Sequence, residues 1–365
     1  MSAPTLENLL PFHFAGIRFA RLQKILAVFG DLKTALEADR ARWERLKLLT
    51  AHQLDRLLDP AQSAWQAEAR AWQSESGQHL LHYWAEGYPP LLKETADPPW
   101  LLYVRGSVDL LSDPQVAMVG ARRATQSGQA SAASLAQALT EKGLTVTSGL
   151  ASGIDRAAHE GALKAGQTVA VVATGLDRVY PASNHRLAQA VAAQGALVSE
   201  YPLGTRPLAR HFPARNRIIA GLSHGTLVVE AALKSGSLIT AKQALEQGRE
   251  VFAMPGSIHD PQVKGCHQLI REGAKLVETA EHVLEELGPG LHSAVAPPVQ
   301  TSVRADPPES ETDLFRWLTY EPCSLDELAQ VSGLSVATLQ SELLMLELEG
   351  RVEALSAGRF RRMGN

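Results

Sequence analysis

The sequence predicts an α/β protein whose mainly parallel sheet is flanked by an N-terminal all-helical module and a C-terminal winged-helix pattern. Three observations predict it. Between Val116 and Met254, short apolar and partly β-branched runs alternate with helical patterns, as in βαβ units covered on both faces. Residues 5–76 carry amphipathic helical spacing instead. Beyond a proline-rich stretch, helical segments lead into a short basic hairpin.

In the first module, the apolar set Ile17, Leu22, Ile25, Leu26 and Phe29 keeps near-helical spacing and stops at Gly30. Asp31 is placed to cap the next helix. Composition makes this an interaction or capping module; the alternative is direct DNA binding through a helix-hairpin-helix-like turn. Strands are expected at 116–120, 145–148, 168–173, 196–199, 226–230 and 250–254, each followed by a Gly/Ser/Pro turn and a helix. In such sheets ligands sit at the C-terminal strand ends, where the loops collect. Residues 288–310, with five prolines and two glycines, read as a linker. Helices follow at 311–318, 324–331 and 335–349, then a hairpin over 352–362 with Gly358 in its turn. Ser324 and Ser335 are good N-caps, with Glu327 in capping-box position to Ser324. The third helix holds Glu342, Glu347 and Glu349 without lysine or arginine, which disfavours a seat among phosphates. The basic tip, Arg359, Arg361 and Arg362, argues the other way.

At ~100–200 residues per domain, 365 residues make two or three domains. A hydrophobic fraction of 45% allows a sizeable core and excludes a disordered polymer. No window approaches ~20 uninterrupted apolar residues, so no membrane span is expected. Residues 1–16 lack the basic start of a secretory signal. Cys266 and Cys323 cannot form a zinc site alone and read as reduced thiols in a cytoplasm. The net charge of −4 means that any polyanion site is a local basic patch.

Several familiar chemistries fail. There is no G-x-x-x-x-G-K-[ST], H-E-x-x-H or G-x-S-x-G, and no resident metal or cofactor is expected. The turn from Gly120 to Thr125 puts arginines where a dinucleotide site needs open backbone. Asp155 and His159, four residues apart on one helix, read as a structural pair. What remains is anion chemistry. Arg122 and Arg123 follow one strand; Ser148 and Gly149 open a Gly/Ser loop after the next; Lys234, Ser235, Gly236 and Ser237 repeat the pattern later. Each can seat an anion on backbone N–H groups at a helix N-terminus, and each can equally be a tight turn with capping serines.

The strongest feature lies between Glu200 and Glu230. Arg206, Arg210, Arg215 and Arg217, with His211 and Asn216, stand there without a carboxylate, and Phe212 sits among them. Arginine for phosphates beside an aromatic for base stacking is the recipe for single-stranded nucleic acid. Residues 211–217 are expected between the fourth strand and the next helix, with Arg215 on the phosphate backbone. The alternative is a solvated basic face with Phe212 in the core.

These loops carry a family resemblance. VGARRAT from Val119, SGLASGIDRAAHEGAL from Ser148 and TGLDRVYPASNHRL from Thr174 resemble the DNA-processing protein A (DprA/Smf) family. So do HFPARNRIIAGLSHGTLVVEA from His211, KSGSLITA, REVFAMPG and, upstream, YPPLLKETADPPWLLYVRG from Tyr88. The resemblance implies a SAM-like domain at 1–80, an extended Rossmann-like DNA-binding domain at 81–287, a linker at 288–310 and a winged-helix domain at 311–365. It implies a non-enzymatic protein of the cytoplasm that holds and protects single-stranded DNA. The implied partners are the RecA recombinase, which it helps load, and single-strand-binding protein; the protein would be a homodimer through its Rossmann-like domain. Arg122 stands at the family's DNA-contacting arginine, the HFPxRNR segment lines the same pocket, and Asn184 belongs to the YPASN loop beside it. Ala121, Ala173 and His267 depart from the family's usual serine, glycine and asparagine, and Ala182 lacks the lysine some members have there; Arg178 or Arg186 would make up that phosphate contact.

The competing class is an enzyme. Gly225-Thr226 followed by Val228-Val229-Glu230 faintly resembles the loop of nucleoside monophosphate phosphoribohydrolases, but the Pro-Gly-Gly core before it is missing.

Overall fold

A computed structural model of the chain describes residues 4–288, Leu314, Leu318, 322–332, 334–355 and 358–363. The N-terminal module is six helices: α1 (Leu6–Phe14), α2 (Phe19–Phe29), α3 (Leu32–Leu36), α4 (Arg40–Leu46), α5 (Ala51–Leu57) and α6 (Gln62–Gln73). As expected, α2 stops at Gly30, and the Asp31 side chain accepts the Thr34 N–H at 2.8 Å to start α3. The module does not stand apart. Leu9, Phe12 and Leu22 belong to one apolar cluster with Leu80, Tyr103 and Leu197 of the sheet and with Trp100, which precedes β2 and whose Nε1–H donates to the Ile17 carbonyl at 2.8 Å.

The sheet contains β1 (Gln78–His82), β2 (Leu101–Gly106), β3 (Gln115–Val119), β4 (Thr145–Ser148), β5 (Thr168–Val171), β6 (Ala196–Ser199), β7 (Gly225–Val228), β8 (Glu250–Ala253) and β9 (Lys275–Leu276). Their order is β1-β2-β6-β5-β4-β3-β7-β8-β9, with β6 through β9 parallel and β1 and β2 antiparallel at one edge. The six expected runs are β3 to β8. The edge strands were not expected from pattern: β1 holds two histidines and no clean alternation, β2 follows a Pro-Pro pair, and β9 is two residues long.

Helices cover both faces: α7 (Pro90–Lys93), α8 (Gln126–Glu141), α9 (Ile154–Ala165), α10 (His185–Gln194), α11 (His211–Leu222), α12 (Ser237–Glu246), α13 (Lys264–Arg271) and α14 (Ala280–Leu287). Alternation along β3 feeds two cores. Val116 and Met118 pack with Ala132, Ala136 and Ala158 of α8 and α9, while Ala117 and Val119 pack with Ile218, Ile219 and Ala241 of α11 and α12. The chain leaves β3 toward β4 on one side and returns to β7 on the other, so a crevice opens above β3 and β7.

The C-terminal module has β10 (Cys323–Ser324), α15 (Leu325–Ser332), α16 (Val336–Leu348), β11 (Val352–Leu355) and β12 (Arg359–Arg362), with strand order β10-β12-β11. Ser324 and Glu327 form the expected capping box, and Ser335 caps α16 through the Thr338 N–H. In the basic tip, Arg361 Nε donates to Glu353 at 2.7 Å. The expected linker and the helix at 311–318 lie outside the described residues, save Gly288 and the buried Leu314 and Leu318. Among the described residues, no helix is long and apolar enough to cross a membrane.

Asp155 and His159 are both buried in α9 but are not a pair. Thr168 Oγ1 donates to the Val146 carbonyl at 2.5 Å, so His159 Nδ1, 2.8 Å away, must donate to Thr168. Burial, with Arg215 nearby, pushes the His159 pKa down from 6.5 to about 3. Between those values the unfolded chain binds a proton that the fold does not, so stability falls as pH falls. His159→Leu should therefore flatten the stability–pH curve between pH 6.5 and 4 by about 1.4 kcal/mol per pH unit. Urea unfolding at several pH values measures it; an unchanged slope would place the proton on another group.

Candidate nucleic-acid interface

The crevice above β3 and β7 is a cleft of about 570 Å³. It is lined by the turn after β3, the loop after β4, Tyr180 from the loop after β5, Pro207 and Ala209 ahead of α11, the first turns of α11, and the Ser235–Ser237 turn before α12. Residues 211–217 are thus helical rather than a loop before a helix.

The loop after β4 is held from two directions. The buried Asp155 carboxylate accepts the N–H groups of Gly149 at 3.1 Å and Ala151 at 3.4 Å. The Arg215 guanidinium donates to the carbonyls of Gly149, at 2.7 Å, and Val171. Glycine is required on this path. A Cβ at Gly149 would lie 2.4 Å from Arg215 Nη1, and Gly153, at φ +76°, would bring one to 2.2 Å from the Ala121 carbonyl. The anion seat expected at Ser148 and Gly149 is therefore filled by the chain's own carboxylate. Ser148 is buried, its Oγ on the Met118 carbonyl at 2.6 Å. Asn184 is also buried, its Nδ2 on the Leu150 and Ala151 carbonyls at 2.9 and 3.2 Å.

Arg215 departs most from expectation. It is 4% exposed and forms the cleft floor, not a solvated phosphate contact. Burial lowers its pKa to about 10 against the opposing pull of Asp155. Burial in turn raises Asp155 above the usual carboxylate range, opposed first by Arg215. Both bonds come from Nη1, whose two N–H groups serve one carbonyl each.

Above the floor the cleft presents a cation and aromatic rings. Arg122 is exposed, and its guanidinium carbon stands 5.1 Å from the Phe212 ring centroid. Phe212 is half-buried, between the core and solvent positions considered for it, and its ring lies 5.7 Å from that of Tyr180. Tyr180, 47% exposed, was not singled out from the sequence, although it sits in the YPASN string. Asn216 lines the same wall, and Ser235 and Ser237 join hydroxyls at 2.7 Å across the exposed Gly236.

The remaining site candidates lie outside this cleft. Arg123, Lys234 and Arg206 are exposed near its rim segments. Arg210, His211 and Arg217 face the other side of α11. His211 stacks on Tyr201 at 4.1 Å, and Arg217 pairs with the half-buried Glu200. Burial raises the Glu200 pKa, and Arg217 opposes the rise. Glu230 is also elsewhere: its carboxylate accepts the Thr125 N–H at 3.0 Å.

A Rossmann-like sheet with an arginine-and-aromatic cleft at its switch point, joined to a winged helix, defines a class of nucleic-acid-handling α/β proteins. A family model described as DNA recombination-mediator protein A matches residues 79–288, and one described as DprA winged helix domain matches residues 297–358. The chain belongs to this DprA/Smf family. It is 39% identical to Protein Smf of Escherichia coli (strain K12) over 356 residues, covering 93% of this chain and 94% of that one. It is 52% identical to DNA processing protein DprA of Streptococcus pneumoniae over 200 residues, covering 54% and 71%. The crystal structure of the pneumococcal protein superposes with a TM-score of 0.68 at 38% identity, over 78% of this chain and 99% of that one. A Helicobacter pylori DprA structure, described for its single-stranded DNA binding mode, superposes with a TM-score of 0.53 at 32% identity over 57% and 95%.

The clamp predicts the outcome for Arg215→Ala. Two carbonyls lose their donor and Asp155 loses its counter-charge, so urea unfolding should show a loss of about 3–5 kcal/mol. Unchanged stability with only a weaker salt dependence of DNA binding would return Arg215 to the phosphate contact expected from the sequence.

Proposed function

We propose that the protein is a non-enzymatic, cytoplasmic single-stranded DNA-binding protein, with the strand held in the cleft above β3 and β7. The observation that carries this reading is the Arg122–Phe212–Tyr180 arrangement over a floor whose carboxylate, Asp155, is turned onto backbone N–H groups. Arg122 meets a phosphate while the rings offer faces to bases, a combination with little regard for sequence. Arg123, Arg206 and Lys234, at the rim, extend the positive field along the strand. Ser235 and Ser237 supply hydroxyls to the backbone. Arg178 is paired with Asp177 at 2.9 Å, which leaves Arg186 to make up the contact missing at Ala182.

The family membership supports the wider role: protection of incoming or processed DNA and assistance in loading the RecA recombinase, in natural transformation and in DNA repair. Single-strand-binding protein is a further partner on the same strand. One cleft holds a few nucleotides, so a homodimer through the Rossmann-like domain gains by avidity on one strand. The acidic α16 favours protein contacts over DNA for the winged helix. The test is a gel shift with single- and double-stranded oligonucleotides across a salt series; equal affinity for both forms would overturn the reading.

Two variants probe the cleft itself. Arg122→Ala should weaken single-strand binding by roughly 1–3 kcal/mol and lower the salt slope by about 0.7, with the melting temperature retained. An unchanged binding curve would route the strand elsewhere. Phe212→Ala should cost about 1–3 kcal/mol with the slope nearly unchanged. A matching fall in melting temperature would make Phe212 a packing residue instead.

A further inference from the structure

A second cleft, of about 490 Å³, lies further along the same edge of the sheet. β6 ends there at Ser199, and β2, running antiparallel to it, begins there at Leu101, so loops from both strands meet the turn between α1 and α2. The first turns of α11 form the partition between the two clefts. Phe212, Arg215 and Asn216 face the first, and Arg210, Ala214 and Arg217 face the second, as helical spacing requires.

The second cleft has nucleotide-binding chemistry of its own. Its wall is the His211–Tyr201 stack, with ring planes 16° apart, and its floor includes the buried Trp100. Two cations stand at its rim, Arg210 from the sheet domain and Arg18 from the helical module. Two carboxylates line it. Glu200 is half-buried and paired with Arg217, which also stands 3.7 Å from Asp97. Arg18 pairs with Asp97, but its side chain is 68% exposed, where such a pair is weak and open to competition from a phosphate. The volume lies within the ~300–1,000 Å³ of small-molecule sites.

We infer that this cleft is a second nucleotide subsite for the same single strand, which leaves the first cleft over the start of α11 and places a phosphate on Arg18 of the helical module. The inference rests on the proposed binding of single strands in the first cleft. It makes the helical module part of the DNA-binding surface, through the α1–α2 turn that carries Arg18.

The test compares oligothymidylates of about 4 and about 12 nucleotides, within the span of single-strand grooves on other folds. The full chain is used, with binding followed by fluorescence anisotropy. Arg18→Glu should weaken the longer strand about tenfold and lower its salt slope while leaving the shorter strand unchanged. Asp97→Asn, which removes the carboxylate competing for Arg18, should tighten the longer strand. Equal loss at both lengths for Arg18→Glu, or no loss at either, overturns the second subsite. Loss of melting temperature in Arg18→Glu moves the same comparison to Arg18→Gln, for which the same two results overturn it. Arg122→Ala serves as the separate control. If it weakens neither strand, the first cleft is at fault, whatever Arg18→Glu does.

Discussion

The candidate site depends on one buried cation. Arg215 reaches from α11 to the carbonyls of Gly149 and Val171, so a helix on one face of the sheet fastens the ends of two strands. Asp155 completes the arrangement from α9 by taking the N–H groups of the same loop. Charges this deep are tolerated because each makes two hydrogen bonds to the backbone and has the opposite charge nearby. The result is a floor that cannot collapse, with Arg122 and Phe212 mounted above it.

That floor explains why a chain of net charge −4 can still carry a polyanion site. The carboxylates that line the clefts are held by partners within the chain: Asp155 by backbone N–H groups, Glu200 by Arg217 and Asp97 by Arg18. The cations at the rims, Arg122, Arg123, Arg206 and Arg210, remain exposed. Local field, not net charge, governs binding at such distances, because salt screens the rest of the surface beyond about 8–10 Å.

Much of this was legible in the sequence. β-branched runs separated by glycine turns located β3 to β8, and capping chemistry located the starts of α3 and α16, because those signals are local. The antiparallel edge was not legible, since β1 and β2 are strands by virtue of pairing with each other and with β6. In the site, Arg122 stands on the turn after β3, as its position in the chain implied, whereas Phe212 lies in the first turn of α11 and not in a loop before it. The basic run from Arg206 to Arg217 was misleading as a count of free charges. Spacing along α11 sends Arg215 inward and Arg217 to Glu200, and no one-dimensional charge tally separates them from Arg210. Tyr180 escaped notice because it meets Phe212 only across the fold.

The apolar cluster shared by the N-terminal helices and the β1–β2–β6 side of the sheet has a consequence for how the molecule comes apart. Trp100 is covered by α1 and by the turn that follows it, and Tyr103 by α1 and α6. Removing the helices would bare aromatic surface that water disfavours, and the edge strands would lose one of their two sides. The helical bundle and that half of the sheet therefore form a single cooperative block, whose slowest-exchanging amides open together. The conventional border between module and sheet marks a change of secondary structure, not a seam along which the protein unzips.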